Sequence, residues 1–216
     1  MDLLQLLSWA CIVFTLGMFS TGLVDLKKMQ TSKSTDNIQF LPFLTTCVNN
    51  LGWLCYGMLK KDHTLIVVNL IGALLQALYI IVYLKYTKQK REVLLQIVPV
   101  GVVATSAGLY FMLFLPRGDM QLNQLGLVCS VATVSVYLSP LADLVDIVRS
   151  GNVQRLSFPL TVATFFTSTS WFFYGFQLDD NYIMLPNLPG IFTSVIRFYL
   201  FWRYAAVSPS YKSMQI

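Results

Sequence analysis

The sequence predicts an all-α integral membrane protein. Seven transmembrane helices form two parallel triple-helix bundles joined by a linker helix. Three observations carry this. First, of 216 residues 56% are hydrophobic and 12% charged, about half the charged fraction of a soluble domain. The mean hydropathy of +0.62 leaves too little polar surface to cover a water-soluble globule. Second, the apolar residues gather into seven stretches of membrane-spanning length. Third, the two ends of the chain repeat one another at an offset of 118 residues. Seven spans of roughly 20 residues use about 140 positions and leave little beyond short loops.

The spans are expected at 3–24, 38–59, 64–84, 94–115, 124–145, 158–178 and 182–204. Span 1 follows Met1-Asp2, which is not a basic leader, and its apolar run is too long for a signal-peptide core. It is therefore read as a retained first helix, ending before Asp25, Lys27 and Lys28. Span 2 lies between Asn37 and the Lys60-Lys61-Asp62 turn, and span 3 runs from there to Lys85. Span 4 begins after Lys90-Arg91-Glu92 and stops at Pro116-Arg117-Gly118. Span 5 leads toward Arg149, span 6 starts after Arg155, and span 7 runs from the Asp179-Asp180 turn to Arg203. Each is expected to be helical, because a backbone facing hydrocarbon must satisfy its hydrogen bonds within the segment.

Charge sets the orientation. Eleven of the 15 Lys and Arg residues lie in loops 1–2, 3–4 and 5–6 or at the C-terminal end, among them Lys33, Lys88, Arg149 and Lys212. Lys60, Lys61 and Arg117 lie on the other side, and Arg197 falls inside span 7. The positive-inside rule then places the C-terminus in the cytoplasm and the short N-terminus outside or in a lumen.

The repeat explains the odd number of spans. Thr46, Trp53, Tyr56 and Gly57 of span 2 match Thr164, Trp171, Tyr174 and Gly175 of span 6. Asn69 and Gly72 of span 3 match Asn187 and Gly190 of span 7, and Asp62 matches Asp180. Asp25-Leu26 matches Asp143-Leu144, whereas Asn37-Ile38-Gln39 matches Asn152-Val153-Gln154 at an offset of 115. A three-span unit ends on the membrane face opposite its start, so one extra helix is needed to make the second copy parallel. Span 4 supplies it. The expected organisation is a first repeat at 1–92, a linker at 93–119, a second repeat at 120–207 and a tail at 208–216. Gly101, Ala104 and Gly108 in span 4 suit close helix packing. Parallel repeats of this kind commonly meet at a midplane substrate site.

Polar residues follow the repeat. Thr46, Asn49, Asn50, Trp53 and Gly57 share one face of span 2, and Thr164, Thr167, Ser168, Trp171 and Gly175 share the same face of span 6. Asn69, Gly72 and Gln76 form the stripe of span 3, with Asn187, Gly190 and Ser194 in span 7. Amides at membrane depth need hydrogen-bond partners, so these faces are expected to point inward. Paired neutral amides and indoles without carboxylates or cations imply a neutral polyhydroxy solute. All ten acidic residues fall outside the spans or near their ends, which favours an uncoupled carrier over one driven by ions.

Other classes fare worse. No catalytic set of Ser, His and carboxylates and no metal-ligand cluster is brought together, so neither an enzyme nor a metal or other cofactor is expected. No basic tract suits nucleic acid. Cys11, Cys47, Cys55 and Cys129 lie in apolar stretches without CxxC spacing and read as buried thiols. A seven-span receptor or scaffold without transport is the alternative, but it gives no reason for an internal two-fold repeat.

The 3+1+3 pattern, the motifs YLSPL, TSTSW-FFYG and LPN, and the paired Asn and Trp resemble the SWEET family of sugar transporters over essentially the whole chain. The resemblance implies a sugar pocket at Trp53, Asn69, Trp171 and Asn187, and an external gate at Tyr56, Lys61, Asp62 and Asp180. Pro42 and Pro140 match two of the family's four hinge prolines. Gly22 replaces a third, and Pro159 stands out of register for the fourth. The implied partners are a glucose-like neutral monosaccharide and the lipid bilayer, with a homo-oligomer allowed. The implied location is the plasma membrane or the Golgi apparatus.

Overall fold

The computed structural model describes residues 2–136, 144–145, 147–148 and 156–204. Pro140, Asp143, Arg149, the Asn152–Gln154 match, Arg155 and the tail from 205 onward lie outside the described residues. The elements are α1 (Leu3–Ser20), α2 (Gly22–Ser32), α3 (Leu41–Lys60), α4 (His63–Tyr86), α5 (Lys90–Leu113), α6 (Asp119–Val136), α7 (Phe158–Gln177), α8 (Asn181–Met184), a 3₁₀ turn (Leu185–Asn187) and α9 (Leu188–Tyr204). Among the described residues there is no strand. Helix boundaries fall within a few residues of the expected spans where those are described, with one exception. Beyond span 1 the chain continues as α2 to Ser32, a polar stretch that carries Asp25, Lys27 and Lys28 and buries Met29 in the core of its unit.

The segments Leu3–Ser32, His63–Tyr86, Lys90–Phe111 and Asn181–Tyr204 are long and apolar enough to cross a membrane. The helices α3 and α7 have 20 residues each, and their Thr, Asn and Ser stripes hold their hydropathy down.

The chain divides into two compact units, Phe19–Cys129 and the described residues of 1–18 and 130–216. In the first, α3 and α4 pack along each other. Met29 of α2 joins Phe43, Leu44, Tyr79, Val82 and Tyr83 in its core. The break between α1 and α2 is clasped by Tyr79, whose hydroxyl donates to the Phe19 carbonyl at 3.2 Å. Gly22 belongs there for space. A Cβ at that position would lie 2.5 Å from the Tyr79 ring. Along α5 the apolar side chains of Val102, Val103 and Leu113 are exposed, as an environment of lipid requires. The small residues of this helix do not serve the close packing expected of them: Gly101 and Gly108 have nothing within 4 Å of an added Cβ. The linker's stripe is left uncovered because α5 meets its neighbours in the unit only sparsely. In the second unit an aromatic ladder joins α7 to α9. Phe158 meets Phe201 at 5.2 Å, and Phe165 meets Phe198 at 5.7 Å.

The two units use the same turn. At the end of α3, Lys61 is left-handed (φ 59°) and the Asp62 N–H donates to the Gly57 carbonyl at 2.9 Å. At the end of α7, Asp179 is left-handed (φ 53°) and the Asp180 N–H donates to the Gly175 carbonyl at 2.8 Å. This is the Schellman closure, in which the first residues past the helix bond back to its last free carbonyls. The Asp that follows caps the next helix. Gly57 and Gly175 are required because the incoming helix arrives on top of them, with Leu65 Cβ at 2.8 Å and the Met184 nitrogen at 2.6 Å from an added Cβ.

Candidate functional site

In the first unit, Trp53 and Tyr56 lie three residues apart on α3 and meet edge to face, with ring centroids 5.5 Å apart at 83°. Both are buried. On α4, the Asn69 side-chain amide donates to the Leu65 carbonyl one turn back at 2.8 Å. One N–H is thereby held, and the orientation of the amide is fixed. Gly72 allows Asn50 to come close: a Cβ there would lie 2.6 Å from Asn50 Nδ2. Among the described residues, Asn50 Nδ2 and Gln76 Oε1 are buried without a hydrogen-bond partner, which leaves a donor and an acceptor on this polar face.

The second unit repeats the constellation. Trp171 meets Tyr174 edge to face at 5.6 Å and 88°. The Asn187 amide donates to the Ile183 carbonyl at 2.7 Å. Ser194 donates to the Gly190 carbonyl at 2.7 Å. Here the Trp171 indole N–H donates to the Thr15 hydroxyl at 2.8 Å, in a buried bond. Since its polar edge is occupied, Trp171 has its apolar ring face to offer a ligand, and such a face can stack on the C–H face of a sugar ring. Thr15 is not among the residues that the sequence marks for the site. The usable signal is that Thr15 and Thr133 also match at the 118-residue offset.

The four expected pocket residues thus fall into two pairs, each a Trp packed edge to face on a Tyr and an Asn whose amide bonds back one turn within its own unit. The expected gate residues occupy the matched turns. Asp62 Oδ1 accepts from the Leu65 N–H at 3.0 Å, and Asp180 Oδ1 accepts from Tyr182 and Ile183 at 2.9 and 3.2 Å. Both carboxylates therefore cap helix N-termini, where their charge also suits the helix dipole. Of the expected hinges, Gly22 sits at the α1–α2 break, and Pro42 and Pro159 lie in the first turns of α3 and α7. A proline at that position removes an N–H that has no helical partner anyway. Neither therefore kinks a helix internally.

The cap roles give a clean test. Asp180→Ala is expected to lower stability by about 1 kcal/mol, read as a lower melting point of the purified protein. Asp180→Asn keeps an oxygen acceptor and is expected to show the stability and sugar uptake of the wild type. Loss of uptake in the Asn variant at normal stability would instead assign the charge itself a role.

These features define a multi-pass membrane protein built from a duplicated helical unit, with a matched Trp, Tyr and Asn set in each copy. The family described as "Sugar efflux transporter for intercellular exchange" matches residues 5–91 and 123–208, the two copies of the repeat. The chain belongs to this family and has its seven-helix 3+1+3 fold. It is 64% identical to Sugar transporter SWEET1 of Danio rerio, with 100% of both chains covered. Against the protein of the same name from Homo sapiens it is 59% identical, covering 93% of this chain and 90% of that one. A solved structure of a eukaryotic SWEET transporter superposes with a TM-score of 0.85 at 26% identity, covering 94% of this chain and 97% of that chain.

Proposed function

We propose that this protein carries glucose-like neutral monosaccharides across a membrane as a uniporter, in both directions and without ion coupling. It is a carrier rather than an enzyme. The observation that carries the reading is the recurrence, in both copies, of a buried Trp packed on a Tyr and an Asn whose amide is pinned to its own helix. Trp53, Asn69, Trp171 and Asn187 are the sugar-contacting set. The indoles stack on the apolar sugar face, while the free amide groups exchange hydrogen bonds with hydroxyls. Alternating access then comes from rocking the repeat at 1–92 against that at 120–207. Tyr56, Lys61, Asp62 and Asp180 lie at the outer gate, and bending takes place near Gly22, Pro42, Pro140 and Pro159. The N-terminus faces outward or into a lumen and the C-terminus faces the cytoplasm, at the plasma membrane or the Golgi.

The deciding experiment is radiolabelled glucose entry into liposomes carrying the purified protein, with no ion gradient. Entry is expected to saturate, to run equally in the outward direction, and to show counterflow. Flux that rises with an inward proton gradient at fixed sugar would overturn uniport. No flux with any hexose would overturn autonomous transport.

A further inference from the structure

The two Asn residues stand on helices of different construction. In the first copy, α4 runs unbroken from His63 to Tyr86 through Asn69. In the second, the matched stretch breaks into α8, the 3₁₀ turn Leu185–Asn187 and α9. The cause is local. Val68 and Ile71 of the first copy are replaced by Pro186 and Pro189, and proline has no N–H to give the carbonyl four residues earlier.

For Pro186 that carbonyl belongs to Tyr182. It accepts instead from the hydroxyl of Ser130 on α6, at 2.8 Å and 52 residues away in sequence. The next carbonyl, that of Ile183, accepts from the Asn187 side chain, as the Leu65 carbonyl accepts from Asn69 in the first copy. Side-chain donors therefore serve two successive carbonyls at the kink. One of the two donors is Asn187 itself. Ser130 has no counterpart in the first copy, where Ile12 occupies the equivalent position and the continuous helix needs no outside donor.

We infer that Ser130 is a positioning residue for Asn187: its hydroxyl fixes the proline-broken turn from which Asn187 meets the sugar. The inference rests on the reading of Asn187 as a sugar contact. It gives the second copy a support that the first lacks, so the two matched amides are not equivalent in function.

A double-mutant cycle tests this in proteoliposomes carrying the full chain. Ser130→Ala is expected to raise the sugar KM several-fold, to leave maximal flux within about two-fold of the wild type, and to lower the melting point. Ser130→Thr keeps the hydroxyl and is expected to restore both. Pro186→Val returns an N–H to the Tyr182 carbonyl, as at Val68. In that background Ser130→Ala is expected to lower the melting point no further. Additive decreases in the cycle would overturn the inference, as would Ser130→Ala behaving as wild type in KM and melting point. Asn187→Ala is measured alongside. Normal transport in that variant, with the melting-point coupling between Ser130 and Pro186 intact, would remove the sugar-contact reading alone.

Discussion

Replacing Trp171 by alanine is expected to reduce sugar flux by about 30-fold while the protein still folds. An alanine leaves one apolar face of the sugar uncovered. Covering such a face is worth about 2 kcal/mol for a large apolar side chain, and each 1.4 kcal/mol is a factor of ten. The indole is buried, packs edge to face on Tyr174, and has its N–H occupied by Thr15. Its ring face is therefore what it can contribute to a solute. Trp171→Phe separates the two roles, since it keeps an aromatic face but leaves the Thr15 hydroxyl without its donor. An intermediate reduction, of a few-fold, is expected. Trp53→Ala is expected to match Trp171→Ala in flux, because Trp53 has the same edge-to-face partner at nearly the same distance and angle. Flux is measured in liposomes at equal protein content. Size-exclusion profile and melting point check the fold, since an alanine at a buried Trp also costs stability. Wild-type flux in a folded Trp171→Ala protein would remove Trp171 from the path.

What is legible in the sequence follows from what the membrane constrains. Span positions are readable because hydrocarbon enforces long apolar runs, and the repeat is readable because duplicated turns keep the same chemistry. The Gly57 and Gly175 turns are the clearest case, with matched left-handed residues and matched Asp caps. The features that are not legible depend on partners remote in sequence. Nothing local to Thr15 announces a bond to Trp171, 156 residues away, nor does Ser130 announce Tyr182. The α1–α2 break likewise depends on Tyr79, which lies 60 residues beyond the carbonyl it serves. Helix α5 shows the opposite error. Small residues resemble a packing stripe in sequence, yet Gly101 and Gly108 face open space, where lipid can lie against them as easily as a helix.

That contrast makes glycine substitutions the sharpest test of the packing. Gly175→Ala is expected to destabilise the protein most. Its Cβ would lie 2.6 Å from the Met184 nitrogen, 3.0 Å from Met184 Cα and 3.1 Å from the Asp180 carbonyl oxygen. All three atoms are backbone, so no side chain can rotate away and the α7–α8 turn itself must open. Overpacking of this kind costs about 1–3 kcal/mol, and the rigid surroundings place Gly175 at the upper end. Alanine's better helix propensity returns about 1 kcal/mol. The net destabilisation of about 2 kcal/mol corresponds to a melting point lower by about 4–8 °C. Gly57→Ala meets Leu65 Cβ at 2.8 Å and only one backbone atom, at 3.2 Å, so a smaller decrease is expected. Gly101→Ala and Gly108→Ala meet nothing and keep only the propensity gain, so their melting points are expected to rise slightly. Flux should follow the same order. The turn that Gly175 closes positions Asp180, Asp180 caps the helix containing Ile183, and the Ile183 carbonyl holds the Asn187 amide. Opening the turn therefore disturbs Asn187 without touching it. A Gly175→Ala protein that melts no lower than wild type would mean that α7 and α8 do not meet as closely as described, and the route from that turn to Asn187 would fail with it.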